Sequence, residues 1–147
     1  MSSAWFFYAL GAALFWATAY VIAEKLLLAG LRPAFIIFLD ALLAIPFYFF
    51  LATKFGEVED GFRILFTQRD VLLLAVISGL TLIGGNFLVI LSVDAKNATL
   101  ASLVESAYPV FTFLIAWAIL KEVQITWETA VGGLMVLCGT SIIALKG

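Results

Sequence analysis

Histidine is absent from this chain, and cysteine occurs once, as Cys138 within an apolar run. A lone thiol excludes an intramolecular disulfide. Together the two shortages remove the commonest transition-metal ligands and the usual proton-relay side chain. Charge is scarce too: 12% of the 147 residues are Asp, Glu, Lys or Arg, whereas 65% are hydrophobic. A soluble domain of this length needs a polar skin that so few charges cannot supply, so the chain reads as an integral membrane protein. The net charge of −2 is spread over the connections without a basic stripe, and nucleic acid is not an expected partner. No nucleophile–base pair, phosphate-binding glycine loop or metal-ligand cluster stands out, so neither an enzyme nor a cofactor is expected.

What the chain has is length of apolar sequence. A helix needs about 20 mostly apolar residues to cross the hydrocarbon. Five runs meet that need, at about 3–23, 34–53, 71–93, 98–120 and 127–145. The predicted fold is therefore all-α, a single five-helix membrane domain over residues 1–147. No Lys or Arg precedes the first run, so a cleaved signal peptide is not expected and the run should remain as a span. Pro33 suits a helix start. Pro46 and Pro109 lie inside spans, where a missing N–H kinks the helix; an ordinary membrane-helix proline and a hinge are both open readings. The longest connection, residues 55–70, mixes Glu57, Glu59, Asp60, Arg63 and Arg69 with Phe62, Ile64, Leu65 and Phe66. A short amphipathic helix on the membrane interface and a solvated loop both fit it. Gly132 and Gly139 in the fifth run, and Gly11 and Thr18 in the first, stand seven apart and offer faces for close helix approach. Asn86 in the third run fits a bond across a helix interface better than a ligand contact.

Two acids, Asp40 and Glu105, lie in the second and fourth runs with no Lys, Arg or His in either to neutralise them. A charge at membrane depth costs about 3 kcal/mol on insertion scales, so such residues generally face a cavity and serve a substrate or proton path. Asp40 follows Pro33 by seven residues and Glu105 follows Ala98 by seven. At 1.5 Å per residue each is roughly 10 Å into its helix, and both helices start on the same side. Ser102, Glu105, Ser106, Pro109 and Thr112 fall at helical spacing on one face, with Tyr108 three residues beyond Glu105.

An acid buried without a cation favours its protonated form, and an arriving cation favours ionisation and releases the proton. Proton-for-cation exchange follows from that competition. The structural alternatives are an Asp40 paired with a Lys or Arg across a dimer interface and a neutral Glu105 bonded to Ser102. Trp16, Tyr20, Phe87 and Tyr108 offer aromatic faces to an organic cation, although a lipid-facing or core role is the default for any one of them. The expected substrate- or proton-binding set is Glu105, Asp40, Tyr108, Trp16, Asn86 and Ser102. Glu24 beside Lys25, and Lys121 beside Glu122, read as surface ion pairs.

An odd number of spans puts the termini on opposite sides. Lys54, Arg63, Arg69 and Lys121 then share the side of the N-terminus, and Lys25, Arg32, Lys96 and Lys146 the other. Orientation follows the Lys/Arg bias of short loops, and four against four gives it nothing to act on. Either the spans are misplaced or belong to a longer chain, or copies insert in both directions and form a homodimer, antiparallel rather than parallel; the second is the expectation. An inverted pair reproduces the pseudo-two-fold relation of many transporters.

The run Leu10-Gly11-Ala12-Ala13-Leu14-Phe15-Trp16-Ala17, with Lys25 and Pro33 after it, resembles the opening of the EamA-type domain of the drug/metabolite transporter superfamily. More specific are Asp94-Ala95-Lys96-Asn97-Ala98-Thr99, Tyr108-Pro109-Val110-Phe111-Thr112, Leu120-Lys121-Glu122, then Gly132-Gly133 and Gly139. The resemblance spans essentially the whole chain. It implies a half-transporter, because members usually carry two such five-helix domains, and hence dimerisation. Ala17 stands where Gly is common, and Asp40 where the second helix often has Arg, a reversal that argues against an anionic or zwitterionic substrate. Smaller four-helix exporters of similar plan use a first-helix Glu at depth, a role left here to Glu105 and Asp40.

The leading expectation is a secondary transporter exporting a small cationic or amphipathic metabolite or drug, by proton antiport, from a prokaryotic cytoplasmic membrane. The alternative is a non-transporting membrane subunit whose acids bond across helix interfaces.

Overall fold

The computed structural model describes residues 4–121 and 126–146, and their ordered elements are all α-helices. In chain order these are α1 (Ala4–Leu28), α2 (Pro33–Lys54), α3 (Glu57–Thr67), α4 (Arg69–Ala95), α5 (Ala98–Glu105), α6 (Tyr108–Leu120) and α7 (Trp127–Lys146). α1, α2, α4 and the stretch Ala98–Ile119 are long and apolar enough to cross a membrane, and Ala130–Ile143 within α7 is a shorter apolar helix. Phe15, Leu28 and Leu43 are typical of their outward faces, each at least 72% exposed. Helices apolar all round, with bulky hydrophobics outward, need lipid rather than water as solvent. The protein is an integral membrane protein.

Local chemistry sets the helix ends. α1 closes on Gly30, whose φ of 94° is a left-handed conformation that a Cβ opposes. The Gly30 N–H reaches the Leu27 carbonyl at 2.9 Å, and the Leu31 N–H reaches Leu26 at 3.1 Å, satisfying carbonyls that the helix leaves open. Pro33 then opens α2 at its first turn. Pro46 lies inside α2, which is continuous from Pro33 to Lys54. The connection after α2, open to two readings from sequence, contains the helix α3.

The fourth span is interrupted. α5 ends at Glu105, Ser106 and Ala107 turn with ψ of −7° and −13°, and α6 begins at Tyr108. Tighter bonds carry the chain through the turn, from the Ala107 N–H to the Val104 carbonyl at 3.2 Å and from Val110 to Ala107 at 3.1 Å. Pro109 contributes to the break, although Pro46 leaves α2 continuous. In a continuous helix residue 109 would donate to the carbonyl of residue 105, and proline has no proton to give.

The chain forms two compact units. One contains the described residues up to Glu24 and from Ala95 onward; the other is Lys25–Asp94. In the first, α7 packs on both α5 and α6. The buried residues there, Tyr20, Ala23, Ala98, Ala101, Ala107 and Thr140, are mostly small. Small residues let backbones approach closely, which is how helices associate in lipid without a hydrophobic drive. Close approach on α7 falls at Gly133: a Cβ there would meet the Val110 side chain at 3.5 Å, whereas at Gly132 or Gly139 it would meet nothing within 4 Å among the described residues. Sequence spacing had marked Gly132 and Gly139. In the second unit α3 lies against α2, and Ile36, Ile90 and Val93 are buried.

Candidate functional site

The first unit holds Trp16, Ser102, Glu105, Tyr108 and Pro109 from the expected set; Asp40, Asn86 and Pro46 belong to the second. Trp16 on α1 is 53% exposed and Tyr108 62%. Asn86 on α4 is half-buried, and Asp40 on α2 is exposed along that helix.

Glu105 is the last residue of α5, so its carboxylate sits where the span breaks. The proton missing from Pro109 is the one that would have bonded Glu105's own carbonyl, so the interruption frees two kinds of oxygen at one residue. Half-helix C-termini of this kind present carbonyls and the negative end of the dipole, and both suit a cation. The neighbouring hydroxyls are turned to their own helices. Ser102 Oγ donates to the Thr99 carbonyl at 3.0 Å, Ser106 Oγ to Leu103 at 2.6 Å and Thr112 Oγ1 to Tyr108 at 3.1 Å. In this arrangement Ser102 spends its proton on the backbone rather than on Glu105.

One turn beyond Glu105 an apolar groove of about 250 Å³ opens between α6 and α7, walled by Pro109, Val110, Phe113, Gly133, Leu134 and Leu137. Its volume is below the range of a full drug-sized pocket, and it suits an alkyl or aryl portion of a ligand.

Glu24 has a role that sequence reading missed. Its Oε2 accepts the N–H of Ala98 at 2.8 Å, joining the end of α1 to the first turn of α5, while Asn97 Oδ1 accepts the Leu100 N–H at 2.8 Å. An N-terminus has orphan N–H groups and a positive dipole end, and these two side chains answer both. Topology carried a signal for this contact, since the first span ends on the side where the fourth begins. Tyr20, one turn before Glu24, is 6% exposed, and its buried Oη has no hydrogen-bond partner among the described residues.

Among the described residues no group of three His, Cys, Asp or Glu side chains is placed to hold a metal ion. No curated protein and no solved structure matches the chain. The sequence model of the EamA-like transporter family matches residues 3–145. With nearly its full length matched, and with membrane-crossing helices that such a transporter requires, the chain belongs to the EamA-like transporter family of the drug/metabolite transporter superfamily.

Proposed function

We propose that the chain works as a homodimer that exports a small cationic or amphipathic metabolite or drug in exchange for protons, with Glu105 as the exchanging group. The observation that carries this reading is an uncompensated acid at the end of a half-helix, its backbone carbonyl released by Pro109. Protonated, Glu105 is neutral and compatible with lipid depth. A cation drawn to the carboxylate and the open carbonyl displaces the proton, so loading and proton release are one event. The groove beside Pro109 takes the nonpolar part of the substrate. Trp16 and Tyr108 supply aromatic faces to the cationic part, and Tyr20 a hydroxyl. Asp40 and Asn86 belong to the other unit, and Asp40 is a second group able to exchange a proton. Rocking of two halves around the site alternates access, with the bare charged state resisting the switch.

Proteoliposomes containing the protein should accumulate organic cations against an imposed proton gradient, and amino acids or neutral metabolites little. Gradient-independent flux would refute antiport; no flux for any substrate class would favour the assembly-subunit reading.

The dimer is read as antiparallel because Lys and Arg divide four against four between the loops. Tags on the C-terminus should be accessible from both faces of the membrane. Accessibility from one face only would leave a parallel dimer.

A further inference from the structure

We propose that α3 is a lipid anchor, whose Phe62–Phe66 pair enters the headgroup–acyl boundary of the leaflet at which α2 ends and α4 begins. This concerns the connection rather than the transport site, and it holds whatever the substrate.

The helix is strongly amphipathic. Winding residues 57–67 at helical pitch puts Val58, Gly61, Phe62, Leu65 and Phe66 along one stripe and Glu57, Glu59, Asp60, Arg63 and Thr67 along the other, where Ile64 is the one apolar exception. The apolar stripe is itself divided. Val58, Gly61 and Leu65 are half-buried, and α3 packs on α2. Phe62 and Phe66 are 52% and 79% exposed and stack on each other, ring centroids 6.0 Å apart and planes 12° from parallel. Two stacked rings turned outward would waste apolar area in water, about 25 cal/mol for each Å² left exposed.

Tethering identifies what covers them. Phe55 and Gly56 separate α3 from α2, and Gln68 alone separates it from α4. With connections of two residues and one, between helices that cross the membrane, α3 has no freedom to leave the interface. Its apolar edge therefore continues the lipid-facing surface of its neighbours. Charge supports the same placement: Lys54 ends α2 and Arg69 begins α4, at the level of lipid phosphates. The polar stripe carries Glu57, Glu59 and Asp60 against Arg63, which is paired to Asp60 at 2.6 Å. Such a face does not call for anionic lipid, so the anchor belongs in a zwitterionic interface.

The test uses a Cys138→Ala background carrying Phe66→Cys, Phe62→Cys or Glu59→Cys, each labelled with an environment-sensitive fluorophore, in phosphatidylcholine nanodiscs. Probes at 62 and 66 should be quenched several-fold more by lipids bearing a shallow spin label than by aqueous iodide, and the probe at 59 the reverse. Iodide quenching of all three would mean a solvated hairpin. Protection of 62 and 66 from both quenchers would mean a protein partner, a second copy included. Either result overturns the proposal. Two separate phenylalanine positions keep the test decisive if one variant fails to fold.

Discussion

A Glu105→Gln variant should lose proton release on substrate binding and, with it, transport driven by a pH gradient. The amide keeps the size of the side chain and an acceptor oxygen but cannot ionise, so the competition between proton and cation disappears. At an effective dielectric of about 20, unit charges about 4 Å apart attract by about 4 kcal/mol, and desolvation returns part of that. A loss of at least about tenfold in cation affinity is the expected floor. Calorimetry in buffers of different ionisation enthalpy reads both quantities at once: wild type should release a proton per cation bound, and the variant none. Unchanged release would move the exchanging role to another group, with Asp40 the next candidate, and Asp40→Asn would then be the variant to fail. A Glu105→Asp change keeps the titrating group and should retain pH-dependent release with weakened binding, which separates loss of charge from loss of fit.

The second large effect is structural. Glu24→Ala should destabilise the protein by about 1.5–3 kcal/mol, the usual worth of a hydrogen bond to a charged group. It strands the Ala98 N–H, which is part of a helix start with no other use for it. Glu24→Gln keeps the acceptor and loses only the charge's attraction to the helix dipole, about 0.3–1 kcal/mol. Denaturant titration in mixed micelles gives the ranking, wild type above Gln above Ala. Hydrogen exchange gives the location, with protection lost at Ala98 and its neighbours in the Ala variant and kept elsewhere. Equal stability of wild type and Glu24→Ala, with Ala98 still protected, would contradict the capping role.

Glu24 also shows where reading from sequence stops. Apolar runs bounded by the Gly30–Pro33 turn declare helices because the turn chemistry is local, but proline alone does not declare an interruption: α2 runs on through Pro46, while the fourth span breaks before Pro109. The Glu24–Ala98 bond joins residues 74 apart in sequence. Beside Lys25, the acid looked like half of a surface ion pair, and nothing nearby spoke against that. Side-of-membrane bookkeeping alone would have put the two helix ends together. The glycines of α7 teach a related lesson. A repeat of seven identifies a face of small residues but not which face meets a neighbour, and the contact with Val110 falls at Gly133, one position from the Gly132 of the repeat. The two acids stand out in the sequence because no cation shares their runs.

The interruption at Ser106–Ala107 bears on biogenesis. α5 has eight residues and α6 thirteen, about 12 Å and 20 Å at helical rise, so neither alone spans a hydrocarbon core of about 30 Å. Only as a joined pair do they reach across, and Ala98–Ile119 is the least apolar of the four membrane-length stretches. During synthesis this segment enters lipid less readily than those before it and is settled by partners: α1, emerging earlier with Glu24 ready to receive its first N–H, and α7, arriving later to pack on both pieces. The segment bearing Glu105 is thereby the one expected to depend most on α1 before it and α7 after it.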